Sequence, residues 1–317
     1  MKELTIIMPF LNESNEPLKT IETIYSTIPS RYLSKIDIVA IEDASIPFFK
    51  TNLSSFPSVI SIKNKHRLGV DGCRQLGVNM SKTDNIMIID GHMRFKNDNW
   101  FEKILDYLKR EPETLWCTTC LVLGYGNMDI YRATDKYYGA SIIFENGESK
   151  TERPSSEILE PKWIEKKEGV DYDIPVILGA NYFFTKKWFN YIGGLNGLKM
   201  WGTSESFLSL KSWMAGGKCK IATDIEIGHK FRDSAPYSTN IWCIIYNKIY
   251  LCKTILPLDL SDKLLQKLNN DGNFVKAMRE IEKNKEAIGQ DKIYYDNVLT
   301  NSVDDFCKRF NIVLPLS

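Results

Sequence analysis

Apolar and polar positions along the first hundred residues alternate between two periods. Leu4 to Phe10, Ile36 to Ile41, Val59 to Lys63 and Ile86 to Ile89 are short runs rich in β-branched and aliphatic residues, the pattern of strands buried in a parallel sheet. Between them, Leu18 to Ile28 and Val70 to Ser81 carry apolar residues at helical spacing. This succession predicts βαβ units, hence an α/β fold around a mostly parallel central sheet. Polar residues close the predicted strands: Asn12 and Glu13 after the first, Glu42-Asp43-Ala44-Ser45 after the second, Asp90 after the fourth. Ligands of open α/β sheets bind beyond the carboxyl ends of the strands, so these side chains are expected to share one crevice.

Farther along, Glu145 to Asp173 is charged and turn-rich, which reads as a surface excursion between core strands and a candidate for substrate contact. Strand signal resumes at Pro175 to Thr185. A helix is predicted over Ser204 to Ala215, stopped by Gly216-Gly217, and another strand over Ile221 to Ile227. After Leu256 the pattern is amphipathic and helical, with Leu264, Leu265, Leu268, Val275, Met278 and Ile281 on apolar faces.

Composition narrows the class. The chain has 317 residues, 43% hydrophobic and 26% charged, enough to bury a large core and too apolar for disorder. Lys plus Arg total 41 against 40 for Asp plus Glu, so no global field draws the protein to nucleic acid or an acidic membrane. The seven cysteines are irregularly spaced in a chain larger than the usual disulfide-stapled domain, and are expected to be reduced. No stretch approaches the roughly 18 apolar residues of a membrane span, and Met1-Lys2-Glu3 leads straight into a strand, so neither signal peptide nor anchor is expected. Together these suggest a cytoplasmic location; nothing sets an oligomeric state. Cys117-Thr-Thr-Cys120 has half the spacing of a zinc site, but its apolar flanks favour a core strand.

Two of the three histidines stand in settings that suit a divalent cation. Asp90-Gly91-His92 follows the buried run Ile86 to Ile89, and His229 follows Ile221 to Ile227 and Gly228. One carboxylate and two imidazoles make half an octahedron whose open positions suit phosphate oxygens and water. An isolated Asp-x-His at a strand end is also a common turn.

From about Leu4 to Tyr237 the chain resembles the GT-A nucleotide-sugar transferases, in particular the catalytic domain of polypeptide N-acetylgalactosaminyltransferases and family 2 glycosyltransferases. Phe10-Leu11-Asn12-Glu13 is similar to the family's F-x-N-E, and Glu42-Asp43-Ala44-Ser45 to its D-D-x-S. Arg67-x-Gly69 with Arg74 and Gly77 resembles R-x-G-(x4)-R-x-x-G, and Asp90-Gly91-His92 its D-x-H metal motif. Pro175-Val176, Gly179, Met200-Trp201-Gly202, Trp213 to Gly217, Gly228-His229-x-Phe231-Arg232 and Pro236-Tyr237 recur in the family's order.

The resemblance implies a GT-A domain over residues 1–256, with a nucleotide-binding half (1–95) and an acceptor and metal half (96–256), and a helical extension over 257–317. It implies Mn²⁺ or Mg²⁺ on Asp90, His92 and His229, with a UDP-sugar as donor. Phe10, Asn12, Glu13, Asp43, Arg67, Gly69, Arg74, Gly91, Trp201, Arg232 and Tyr237 are then expected around the donor, Asp43 at the base and Arg232 and Tyr237 at the diphosphate. Gly179, Ala180, Trp201 and Ser204 are expected around the acceptor or transferred sugar.

One departure bears on mechanism. Where the N-acetylgalactosaminyltransferases read W-G-G-E-N, this chain reads Trp201-Gly202-Thr203-Ser204-Glu205. Aligned instead to family 2 enzymes, Glu205 stands at their inverting general base; a carboxylate at a helix start is also favoured by the macrodipole alone. The overall resemblance leans to a retaining transfer and the local chemistry to an inverting one. The chain lacks the lectin domain, anchor and secretory cysteines of the peptide-modifying enzymes, so a luminal mucin-type role is not expected. Two acceptors stand open: a glycan, or a hydroxymethyl pyrimidine in DNA of phage or base-J type. The second rests on the mixture Lys230, Arg232, Tyr237, Trp242, Tyr246, Lys248, Tyr250 and Lys253. A silent nucleotide-sugar-binding module is a third reading, motivated by Ser204 in place of the family's Glu.

Overall fold

The computed structural model describes residues 1–48, 52–96, 98–124, 130, 133, 135–144, 157–232, 237–238 and 240–315. Pro236 and the first part of the predicted excursion, 145–156, lie outside the described residues. The four predicted strands of the first half form as β1 (Leu4–Phe10), β2 (Ile36–Glu42), β3 (Val59–Lys63) and β4 (Asn85–Ile89), with helices α1 (Glu16–Thr27) and α2 (Gly69–Met80) between them. All three strand pairings in this half are parallel, in the order β4-β1-β2-β3. The period of two sends Ile6 and Met8 into one hydrophobic cluster and Ile7 into the other, so both faces of the sheet are buried, as its continuous apolar runs require.

The second half extends the same sheet. After β5 (Met93–Phe95) and α3 (Trp100–Arg110), β6 (Thr114–Leu123) runs through Cys117 and Cys120, both buried in the core, and all seven cysteines are free. Two short strands follow, β7 (Lys136–Tyr137) and β8 (Ala140–Ile142). From residue 157 the predicted excursion folds back: Ile158 and Leu159 are buried, β9 (Pro161–Trp163) pairs with β8, and β10 (Asp171–Asp173) joins the sheet edge. Strand β11 (Asn181–Thr185) is shorter than the predicted Pro175 to Thr185, because Pro175 to Ala180 peel away from the ladder toward the crevice. It lies antiparallel between β4 and β6, and α4 (Lys186–Tyr191) follows it.

Helix α5 (Ser204–Met214) packs beside β12 (Lys218–Lys230), which pairs parallel with β6 and shifts register between Ala222 and Glu226. The shift lets the end of β12 turn onto β5, pairing His229 with Met93. Five further helices complete the chain: α6 (Ile241–Ile255), α7 (Leu258–Leu268), α8 (Phe274–Lys283), α9 (Lys285–Val298) and α10 (Val303–Phe310). Their apolar faces belong to the same cluster as one face of the sheet, through Leu264, Ile281, Tyr295 and Phe306. Among the described residues no helix is long and apolar enough to cross a membrane.

Candidate active site

A pocket of about 380 Å³ opens at the carboxyl ends of β1, β2 and β4. Of the residues singled out in the sequence, Phe10, Glu13, Asp43, Arg67, Arg74, Asp90, Gly91, His92, Gly179, Ala180, Trp201, Glu205, His229 and Tyr237 line it. Asn12, Gly69, Ser204 and Arg232 do not line it. Asn12 receives the Ile46 N–H on its Oδ1 and donates its own N–H to Ser45, joining the ends of β1 and β2. Gly69, at φ +80°, brings the start of α2 so close to Met200 that a Cβ would lie 2.1 Å from the Met200 Cα.

Asp90, His92 and His229 converge, with one ligand atom of each within 4.8 Å of the others. The β5–β12 ladder does this: His92 precedes β5 by one residue, and its carbonyl accepts the Lys230 N–H at 3.2 Å. The two Nε2 atoms are 3.0 Å apart, and His229 Nε2 is 3.4 Å from Asp90 Oδ2. His92 Nδ1 lies 3.0 Å from Glu13 Oε2. A proton held there toward Glu13 leaves the His92 Nε2 lone pair facing the other two groups. Lone pairs opposed at this distance call for a shared proton or a cation. The separations are those of neighbouring ligands around one ion, about 3 Å for metal–ligand bonds slightly over 2 Å. The donor set therefore fits a divalent cation of the Mn²⁺ or Mg²⁺ kind.

Electrostatics agree. Burial works against ionised Asp90, but hydrogen bonding to His229 and the charge of Arg74 outweigh it, and its pKa is held down at about 2. Burial likewise opposes the Glu13 carboxylate, and His92 and Arg232 more than compensate, so its pKa lies below the ordinary range. Burial depresses the His229 pKa despite Asp90, keeping the ring neutral and able to ligate.

Asp43 is committed largely to the fold. Its Oδ1 accepts from Leu68 N at 2.8 Å and Asn64 Nδ2 at 3.1 Å, and its Oδ2 from Gly69 N at 2.9 Å. It thereby holds the start of α2 against the pocket, with part of its acceptor capacity left over. Arg67 lies 4.0 Å from Asp43 Oδ2, with its guanidinium 5.5 Å from the centre of the Tyr237 ring.

At the other end four consecutive residues are each fastened to a distant partner. The Gly202 carbonyl accepts from Asn247 Nδ2 at 2.9 Å, and Thr203 Oγ1 donates to Glu160 at 3.2 Å. Ser204 Oγ donates to Asp71 at 2.6 Å, and Glu205 Oε1 accepts from Arg74 at 3.4 Å. Arg74 also reaches Asp90 Oδ1 at 3.4 Å and the Gly179 carbonyl at 2.9 Å, so one buried guanidinium links the metal-type cluster to Glu205. A Cβ on Gly179 would lie 2.1 Å from Glu205 Oε1, so a larger residue there would displace the carboxylate from this position. Thr203 adopts φ +67°, the left-handed region that a non-glycine residue occupies only when its surroundings impose it.

Glu160 and Trp163 in the lining and Asn247 behind it are unmarked in the sequence, and Phe231 stands there only as part of Gly228-His229-x-Phe231-Arg232, with no site role of its own. Glu160 is one acid among several in its segment, with nothing local to mark it. Asp71 carries a weak signal, its i, i+3 spacing to Arg74. Of the residues behind the DNA reading, Tyr246, Lys248 and Tyr250 are buried in α6, while Lys230 and Arg232 pair with Glu16 and Glu13.

Comparisons with known proteins bear on the family and the fold. The human Polypeptide N-acetylgalactosaminyltransferase 10 is 28% identical over 241 residues, covering 74% of this chain and 38% of that protein. The mouse Polypeptide N-acetylgalactosaminyltransferase 4 is 23% identical over 252 residues, covering 74% and 40%. The chain thus spans about two fifths of the length of these curated relatives. A crystal structure of GalNAc-T7 with UDP, GalNAc and Mn²⁺ superposes with a TM-score of 0.75 at 16% identity, over 98% of this chain and 57% of that one, which establishes the GT-A fold. Residues 5–193 match Glycosyl transferase family 2, well over half of the sequence, and the chain belongs to that family.

Proposed function

We propose that the protein is a metal-dependent glycosyltransferase that moves a sugar from a UDP-sugar to a hydroxyl of a saccharide. The observation that carries this reading is the meeting in one pocket of Asp90, His92 and His229 with the Glu205 carboxylate, one guanidinium apart. Asp90, His92 and His229 would hold the cation, Mn²⁺ being favoured over Mg²⁺ by the two imidazoles. When bound, it supplies Lewis acidity that neutralises charge on the departing diphosphate. UDP, GalNAc and Mn²⁺ in the GalNAc-T7 structure support the same donor and ion.

The chain's own groups divide the remaining work. Glu13 orients His92, and Arg232 holds Glu13 in turn. Arg67 and Tyr237 border the space assigned to the nucleotide, with Asp43 beside the base. Glu205 takes the proton of the attacking hydroxyl, which predicts inversion at the anomeric carbon. Ser204, which stands where the related transferases carry Glu, is turned to Asp71 and leaves the pocket carboxylate to Glu205. Seven free, buried cysteines favour a reducing compartment such as the cytoplasm.

The test is UDP release and product formation from UDP-sugars with Mn²⁺ and a panel of saccharides, alongside calorimetric titration with UDP and GDP. Turnover with tighter UDP binding is expected. Tighter binding of GDP would overturn the donor assignment, and transfer to a peptide or to hydroxymethylated DNA instead of saccharides would replace the acceptor.

A further inference from the structure

The pocket is also lined by groups to which the donor chemistry above gives no part, Glu160 and Trp163. Glu160, just before β9, lines the pocket, and its Oε1 lies 3.2 Å from Lys248 Nζ and 3.2 Å from the Thr203 hydroxyl. Lys248 sits on α6 and is 0% exposed, whereas the Glu160 side chain keeps 26% of its surface open. A buried ammonium is costly without a counter-charge, so this pairing anchors Glu160 from behind while its remaining acceptor capacity is open to the pocket. Burial and the nearby Glu205 charge push the Glu160 pKa up against the pull of Lys248, a sign that the two carboxylates share this end.

Three residues on, Trp163 is 47% exposed although it too lines the pocket. Its indole stacks on Tyr137, with centroids 4.3 Å apart and planes at 11°, and Phe231 meets Tyr137 edge-on at 5.6 Å. The ring is thereby fixed as a platform. Trp201, 49% exposed, supplies a second indole to the same pocket. An exposed indole held by its stacking, in one pocket with an anchored carboxylate and a second exposed indole, is the chemistry of sugar recognition: the C–H face of a pyranose lies on the ring, and neighbouring hydroxyls donate to the carboxylate.

We propose that Glu160, Trp163 and Trp201 form an acceptor subsite for an uncharged, hydroxyl-rich saccharide. The proposal deepens the glycosyltransferase reading and rests on it for calling the bound sugar an acceptor. Charge decides the class. Glu160 and Glu205 are both carboxylates; of the cations beside them, Lys248 is buried and paired with Glu160, and Arg74 is buried and shared among Glu205, Asp90 and Asp71, so a sulfated saccharide or a nucleic-acid strand would meet repulsion from these two carboxylates.

The experiment uses the full chain saturated with UDP and Mn²⁺. Saturation-transfer NMR against neutral methyl hexosides and hexose oligosaccharides, their sulfated counterparts and a hydroxymethylated DNA duplex reads the preference directly. Neutral saccharides are expected to bind, and the charged probes at least about tenfold more weakly. Trp163→Ala is expected to weaken neutral binding by up to about tenfold. Because Glu160→Gln removes the charge that faces the buried Lys248, the double variant E160Q/K248M, with its melting checked against the parent, tests the carboxylate without that imbalance; it too should lose neutral-sugar affinity. Binding within twofold of the parent in both folded variants, or sulfated sugar or DNA bound as tightly as neutral sugar, overturns the subsite. If the parent binds saccharide but turns over no UDP-sugar, the transferase reading falls and the saccharide class stands. If turnover holds while the variants bind as the parent does, the subsite alone falls.

Discussion

At one end of the pocket Phe10, Asp43 and Asp90 stand at or one residue beyond the ends of β1, β2 and β4, adjacent strands whose parallel register sets their spacing. At the other end Gly202 to Glu205 form a loop and the first turn of α5, each tied to a partner 43 to 133 residues away. The first end is built by a ladder of backbone hydrogen bonds that would persist if any one side chain changed. The second is a set of side-chain tethers, each removable by one substitution. Position at the sheet-built end should therefore be robust, with chemistry alone lost on mutation; at the loop-built end position and chemistry should fail together.

The largest effect is expected where position is most robust. His229→Ala removes a proposed ligand from β12 while the β5–β12 pairing remains. Transfer should fall by about 10³ or more with circular dichroism unchanged. Wild-type activity in this variant at buffered Mn²⁺ would show the cluster to be wrongly assigned. Next is Glu205→Gln, which preserves size and the contact with Arg74 but cannot take a proton; the rate should fall by about 10² to 10⁴ with UDP affinity preserved. Product NMR should show an inverted anomer. A retained anomer from an active Glu205→Gln enzyme would assign the carboxylate to the helix start alone.

A smaller effect separates the two ends directly. Asn247 is buried, donates to the Lys199 and Gly202 carbonyls at 2.9 Å each, and accepts from Lys199 N at 2.7 Å. Asn247→Ala leaves these backbone groups without that partner, at about 1–3 kcal/mol. Amide exchange should rise over residues 199–204 and stay unchanged in β1, β2 and β4. Uniform loosening of both ends would break the distinction.

The same difference governs what could be read from sequence. Strand ends were legible because an apolar run stopping at Asp43 or Asp90 announces both the strand and the side chain it delivers. The histidine cluster was legible as residue types, but its closure depends on the register shift in β12, which no local pattern marks. Glu205, Gly179 and Trp201, which line the pocket, were singled out only through family resemblance, as was Ser204, which is turned to Asp71 instead. Glu160 and Asn247 were not found, since their roles are set by residues more than 40 positions away. In the sequence Lys248 stands only within the basic and aromatic mixture behind the DNA acceptor. Its burial against Glu160 takes it out of any such contact surface.

The last prediction turns on the charge balance around Arg74. Three carboxylates, Asp71, Asp90 and Glu205, lie 3.4 to 3.6 Å from this one guanidinium. Asp71 is the most buried, its Oδ2 has no hydrogen-bond partner, and burial pushes its pKa up to about 7 in spite of Arg74. A carboxyl whose folded pKa lies above its unfolded value near 3.8 binds a proton in the native state that the unfolded chain has released. Its contribution to stability is full below about pH 4 and is lost as pH rises through about 7. Asp71→Asn keeps a neutral oxygen for Ser204 and has no proton to lose. The variant should match the parent near pH 4 and exceed it at pH 8, by up to a few kcal/mol. Urea unfolding of both proteins across that range reads the difference. Parallel stability curves would mean that Arg74 keeps Asp71 ionised throughout, and that the tether from Ser204 is an ion–dipole contact instead of a bond to a neutral acid.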